Sequence, residues 1–188
     1  MGRQVSHGGW QVPHHRLASP HRGWQVPMVF PNPTGAVLMQ FAGTWHIAAA
    51  VSNCSVFLKM KDVMKSSTTT ISFTPEGDLA MKLVWPLLDR CQKLELLFQR
   101  SEEAGHYLAA QEKRDLRVME TDYSSYAIVH ELQQREQDPS TALQLLTREQ
   151  DVNPQLLQKF EELIPTVGLT KDMLVVLPKS DQCTKAVS

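Results

Sequence analysis

The densest run of chemically capable side chains is Lys65 to Phe73, KSSTTTISF, five hydroxyls in a row and then a return to apolar residues. A hydroxyl becomes a nucleophile only beside a base that takes its proton, and no His or carboxylate stands at period-2 spacing along this run. Ser/Thr runs between periodic segments usually mark loops. Three of these five residues are Thr, however, β-branched and stiff at χ1, and the run continues into Ile71 and Phe73, as a strand in a wall would. Histidines offer a second chemistry: His7, His14, His15 and His21 lie close together, but without Cys or carboxylate partners or ligand-like spacing, so neither a metal site nor a cofactor is expected. Cys54 can be a free thiol, a partner in an intermolecular bridge, or a small buried residue. It also sits within Asn53-Cys54-Ser55, a sequon that makes Asn53 a glycosylation site if the chain enters the secretory pathway.

The elements that must position these residues are read from the rest of the chain. At 188 residues, 42% hydrophobic and net charge −1, the chain suits one soluble globular domain plus a tail, with no general preference for nucleic acid or anionic membrane. No apolar run approaches the roughly 20 residues of a membrane span, and the N-terminus lacks the continuous apolar segment of a signal peptide. Residues 1–40 carry a near-duplicate, HGGWQVP at His7 to Pro13 and HRGWQVP at His21 to Pro27, in a Pro- and His-rich segment expected to be a disordered extension. From Phe41 onward, eight strand-sized runs with much period-2 alternation predict an antiparallel barrel or sandwich, joined in one place by the turn Thr74-Pro75-Glu76-Gly77-Asp78. Propensity alone would make Leu94 to Glu103 helical. One helix is clear, capped by Asn153, started by Pro154 and carrying Leu156, Leu157, Phe160, Leu163 and Ile164 at 3.6-residue spacing. A short strand, Met173 to Leu177, is expected after it.

Three short motifs fall in order on these elements: Gly43-Thr44-Trp45 opens the first strand, Thr121-Asp122-Tyr123 separates the sixth from the seventh, and Arg148 ends the eighth. Together they resemble the three signature regions of the lipocalin family, and ETDYSSYA, LTREQ and the terminal SDQC look most like its lipocalin-type prostaglandin D synthase branch. The resemblance covers Phe41 to about Cys183 and implies an all-β, eight-stranded up-and-down antiparallel barrel with one C-terminal helix, the domain occupying residues 41–188. It implies structural roles for Gly43, Trp45, Thr121, Asp122, Tyr123 and Arg148, with Arg148 stacked on a buried Trp45. It also implies a disulfide from Cys91 to Cys183. In the synthase branch a second-strand cysteine attacks the endoperoxide. Counting without gaps, that position falls on Ser67, so no catalytic residue and no synthase activity are expected.

If Ser67 faces inward, alternation places Thr69 and Ile71 inside with it, Ile47 and Ala49 on the first strand, and Met81, Leu83 and Trp85 on the third. Leu94, Leu96 and Phe98 on the fourth strand follow, then Val129, Ala142, Gln144 and Leu146. Such a lining suits a small lipophilic ligand with a polar end, a fatty acid, retinoid or prostanoid, held by a monomer. The alternatives are a filled barrel serving as a scaffold, with Trp10 and Trp24 of the tail docking a partner, and a residual isomerase. The family resemblance implies an extracellular protein. This chain carries no signal sequence, which leaves open a cytoplasmic form, an alternatively started one, or a chain that is not efficiently made.

Overall fold

A computed structural model of the chain describes residues 40–183, and the tail with its four histidines and two HxGWQVP copies lies outside them. Nine strands form a single sheet: β1 (Gly43–Ser52), β2 (Ser67–Phe73), β3 (Leu79–Leu87), β4 (Arg90–Arg100), β5 (His106–Ala109), β6 (Arg114–Thr121), β7 (Tyr126–Gln133), β8 (Ser140–Thr147) and β9 (Leu174–Val176). Their order is β2-β3-β4-β5-β6-β7-β8-β1-β9, and β2 also pairs with β1, so eight strands close into an antiparallel up-and-down barrel and β9 lies outside the ring as an extension beside β1. Besides short 3-10 turns, two α-helices lie wholly within the described residues, the short α1 (Ser55–Met60) and the C-terminal α2 (Pro154–Leu163). The eight-stranded barrel and its C-terminal helix are therefore as the motifs led us to expect. The helix α1 was not foreseen.

KSSTTTISF supplies β2, beginning at Ser67, with its residues paired to β1 on one side and β3 on the other. The turn that follows forms because Gly77 takes φ +89°, where an L side chain is strained, while the Thr74 N–H donates to the Asp78 carbonyl at 2.9 Å. The helix-prone stretch from Leu94 becomes β4 because tertiary pairing overrides propensity. Leu94, Leu96 and Phe98 stand opposite Leu83, Met81 and Leu79 of β3 and turn inward together. At the end of α2, Asn153 Oδ1 accepts from the Gln155 N–H at 2.8 Å, which satisfies a helix donor that would otherwise have no partner.

The core has two parts on opposite sides of the wall. Inside the barrel, Trp45, Ile47, Ile71, Leu79, Phe98, Leu116 and Leu146 pack with their neighbours. Outside it, Phe160 and Ile164 of the α2 region cover Val51, Ile128, Leu143 and Leu145, and both aromatic and aliphatic anchors are fully buried. The disulfide between Cys91 and Cys183 ties the segment after β9 to the start of β4.

One element departs from simple alternation. In the β1–β8 ladder Ile47 faces Leu146 and Ala49 faces Leu145, so Ala48 is an extra residue, a bulge. Ala48 and Ala49 both belong to the outer cluster, and Ala50 returns to the inner one. Ala49 is thus corrected from a barrel-lining residue to one packed beneath the helix, because one inserted residue reverses the parity of everything after it.

Candidate functional site

The two ends of the barrel differ. At the end where β1 begins, Trp45 is fully buried and its Nε1 donates to the Phe41 carbonyl at 2.9 Å. The Arg148 guanidinium lies 3.7 Å from the centre of the Trp45 ring and donates to the carbonyls of Thr44 at 3.0 Å and Ala42 at 2.9 Å. Gly43 has φ +111°, and a Cβ there would stand 3.0 Å from Arg148 Nη1, so glycine is what lets the arginine approach the strand. Asp122 accepts from the N–H groups of Ser124, Ser125 and Tyr126, and Thr121 Oγ1 donates to the Tyr126 carbonyl at 2.6 Å, which fixes the turn into β7. Burial works against the Asp122 charge, but its hydrogen bonds from Ser125 and the neighbouring backbone hold its carboxyl below the ordinary value. The first set of contacts closes the barrel around Trp45, and the second fixes the exposed turn between β6 and β7 at the same end.

Toward the opposite end the inner wall opens into a cavity of about 300 Å³. Seven residues placed inside by alternation line it: Ile47, Ser67, Leu83, Trp85, Leu94, Ala142 and Gln144. Ile71, Met81, Leu96, Phe98, Val129 and Leu146 face inward too but belong to the packed cluster that holds Trp45. Thr69 is 1% exposed and its hydroxyl has no hydrogen-bond partner among the described residues. Ser67 Oγ donates to the Lys65 carbonyl at 3.2 Å, an acceptor that cannot take a proton as a base would.

Sequence reasoning missed much of the rim and the polar wall. Cys54, the N-cap residue of α1, lines the cavity as a free, partly exposed thiol, and Phe57, Met64 and Leu177 complete the mouth around it. Arg114, Glu131 and Gln133 also line it. Parity could have found them, since Glu131 and Gln133 continue the inward register of Val129, and Arg114 that of Leu116. Among the described residues no group of three or more His, Cys, Asp or Glu side chains is placed to hold a metal ion, and no helix is long and apolar enough to cross a membrane.

These features can be set beside known proteins. Residues 42–181 match the family model described as lipocalin / cytosolic fatty-acid binding protein family. The chain is 39% identical to human (Homo sapiens) lipocalin-15 over 77% of its length and 79% of that protein's. It is 30% identical to the extracellular fatty acid-binding protein of Coturnix japonica over 77% of its length and 82% of the other's. At lower identity, 26%, it matches the prostaglandin-H2 D-isomerase of Ovis aries over 89% of its length and 97% of that protein's. Among solved structures, that of the siderocalin Ex-FABP, described as functioning through dual ligand specificities, superposes with a TM-score of 0.70 at 30% identity, covering 75% of this chain and 95% of that one. A barrel closed by Gly43, Trp45 and Arg148 and matched over most of its length by these relatives makes the chain a member of the lipocalin / cytosolic fatty-acid binding protein family.

Proposed function

We propose that this chain is a monomeric carrier that binds one small lipophilic molecule with a polar end, of the fatty acid, retinoid or prostanoid class, inside the barrel and performs no catalysis. The observation that carries the reading is the cavity of about 300 Å³ at the open end, walled chiefly by Ile47, Leu83, Trp85, Leu94 and Leu177 with a few polar groups among them. That size stands at the lower bound of typical ligand sites, and the mixture of apolar wall and sparse polar groups is how such sites fix orientation. Relatives named for fatty acid binding and for dual ligand specificities support it. Ser67, hydrogen-bonded to a carbonyl, supports the absence of the synthase reaction.

The test is a thermal-shift and calorimetric panel of lipids against the natural chain and Ala142→Trp, which fills the cavity. Binding by the first and its loss in a folded second are expected, and a flat response from the natural chain to every lipid would establish a filled barrel instead. Incubation with the prostaglandin endoperoxide and a thiol addresses catalysis, with no turnover above the spontaneous rate expected.

We further propose that residues 41–188 form the functional domain, secreted and glycosylated at Asn53. Asn53 is exposed next to the mouth, and its Oδ1 accepts from the Thr141 N–H at 2.9 Å, leaving the amide nitrogen as the group to be modified. Detection in conditioned medium with a glycosidase-sensitive mobility shift supports this, and retention within the cell opposes it.

A further inference from the structure

Most of the cavity wall is apolar, yet two of its residues are charged: Arg114 on β6 and Glu131 on β7. They bond to one another, Arg114 Nη1 donating to Glu131 Oε1, with the side chains only 18% and 11% exposed. The remaining lining residues, Ser67, Gln133, Ser140 and Gln144 among them, carry no formal charge, so the wall is polar in one region and neutral in sum.

That arrangement discriminates between ligand head groups. An anionic head entering the polar region meets the Glu131 carboxylate as well as Arg114. To pair with the guanidinium it must share or displace the existing partner, which leaves one of two carboxylates poorly compensated in a low-dielectric pocket. A cationic head meets the same difficulty at Arg114. An uncharged head that both donates and accepts avoids it, because its oxygen can accept from a guanidinium N–H while its O–H or N–H donates to a carboxylate oxygen, with the internal pair left in place.

We propose that this cavity selects lipophilic molecules whose polar end is an uncharged hydrogen-bonding group, an alcohol, primary amide or glycerol ester, and rejects the corresponding free acids. The inference rests on the reading of the cavity as a ligand site and departs from it at the head group, keeping the alcohols, amides and esters of that lipophilic class and excluding its free acids. Glu131 is then a specificity-determining residue: its carboxylate excludes a second anion.

Calorimetric titration of the natural chain at neutral pH with dodecanol, dodecanamide and dodecanoic acid tests this. The alcohol and amide are expected to bind at least about tenfold more tightly than the acid. Any apolar pocket disfavours a carboxylate to some degree, so the deciding comparison is Glu131→Gln, which keeps the shape and removes the internal anion. The alcohol-to-acid affinity ratio should then fall at least about tenfold, because dodecanoate gains from losing the internal anion whereas dodecanol loses a carboxylate acceptor. Should that variant fail to fold, the double change Arg114→Gln with Glu131→Gln, which leaves no lone charge, is expected to narrow the alcohol-to-acid ratio. Dodecanoate binding the natural chain as tightly as dodecanol overturns the proposal and leaves the lipophile-carrier reading standing, as does a ratio unmoved by the substitutions. No binding by any of the three overturns both.

Discussion

Arg148 directs its guanidinium at the Thr44, Ala42 and Gln40 carbonyls while lying over the Trp45 ring, so one side chain satisfies carbonyls at the start of β1 and covers the closed end. Its stacking is worth about 0.5 to 2 kcal/mol, and the hydrogen bonds from a charged donor add to it. The contrast is Thr69, two residues along the same inward face from Ser67. Its hydroxyl is buried with no partner among the described residues, a cost that β2 bears because Thr also suits a strand. Valine has the same shape and no polar atom to satisfy. Thr69→Val is therefore expected to stabilise the barrel by about 1 kcal/mol, read as a higher urea midpoint at unchanged slope. A lower midpoint would mean that the hydroxyl has a partner, such as a buried water.

At the scale of elements, α2 is held by the apolar face it lays against the outer wall. Phe160 and Ile164 are fully buried there, while Lys159 pairs with Glu120, whose Oε1 accepts from the Tyr126 hydroxyl at 2.9 Å. Phe160→Ala leaves a hole between helix and sheet, and a loss of about 3 to 5 kcal/mol is expected by chemical denaturation. A loss under 1 kcal/mol would show that α2 is a passenger. The helix was readable because its cap, its proline and its 3.6-residue spacing all agree, and the strand of hydroxyls was readable because Thr, Ile and Phe fit a pleat. What escaped had a physical reason in each case. The bulge lies in Ala48-Ala49-Ala50, three identical small residues in which a parity change leaves no trace. The helix α1 sits between strands as SVFLKM, six residues with no buried member, too short to show a periodic face. Arg114 and Glu131 were overlooked because charged residues are expected outside, and their mutual pairing helps to make the interior tolerable.

Across the whole molecule, several titrating groups bias stability in the same direction. Burial lowers the pKa of His46 on β1 from 6.5. On β7, burial and then the nearby Arg117 charge lower that of His130, with Asp115 opposing, while its Nε2 lies 2.7 Å from Thr141 Oγ1. For both, the folded chain binds fewer protons than the unfolded chain between the two pKa values. Their stabilisation is complete above the unfolded value near 6.5 and is lost as pH falls through the lower folded value. Asp122 obeys the same sign at more acidic pH, below the ordinary carboxyl value of 3.8. At the alkaline end, Tyr107, Tyr123 and Tyr126 are raised chiefly by burial, so they stabilise at neutral pH and that contribution fades as pH rises past 10. Stability is therefore expected to plateau between about pH 7 and 9 and to decline first on the acid side, before carboxylates titrate. Urea midpoints at pH 7.5 and pH 5 decide it: the natural chain should lose midpoint between them, and His46→Gln with His130→Gln should lose distinctly less. An equal drop in both chains would place the acid sensitivity in the carboxylates, and then Asp122→Asn, which removes the charge its turn was built to hold, should flatten the remaining descent below pH 4.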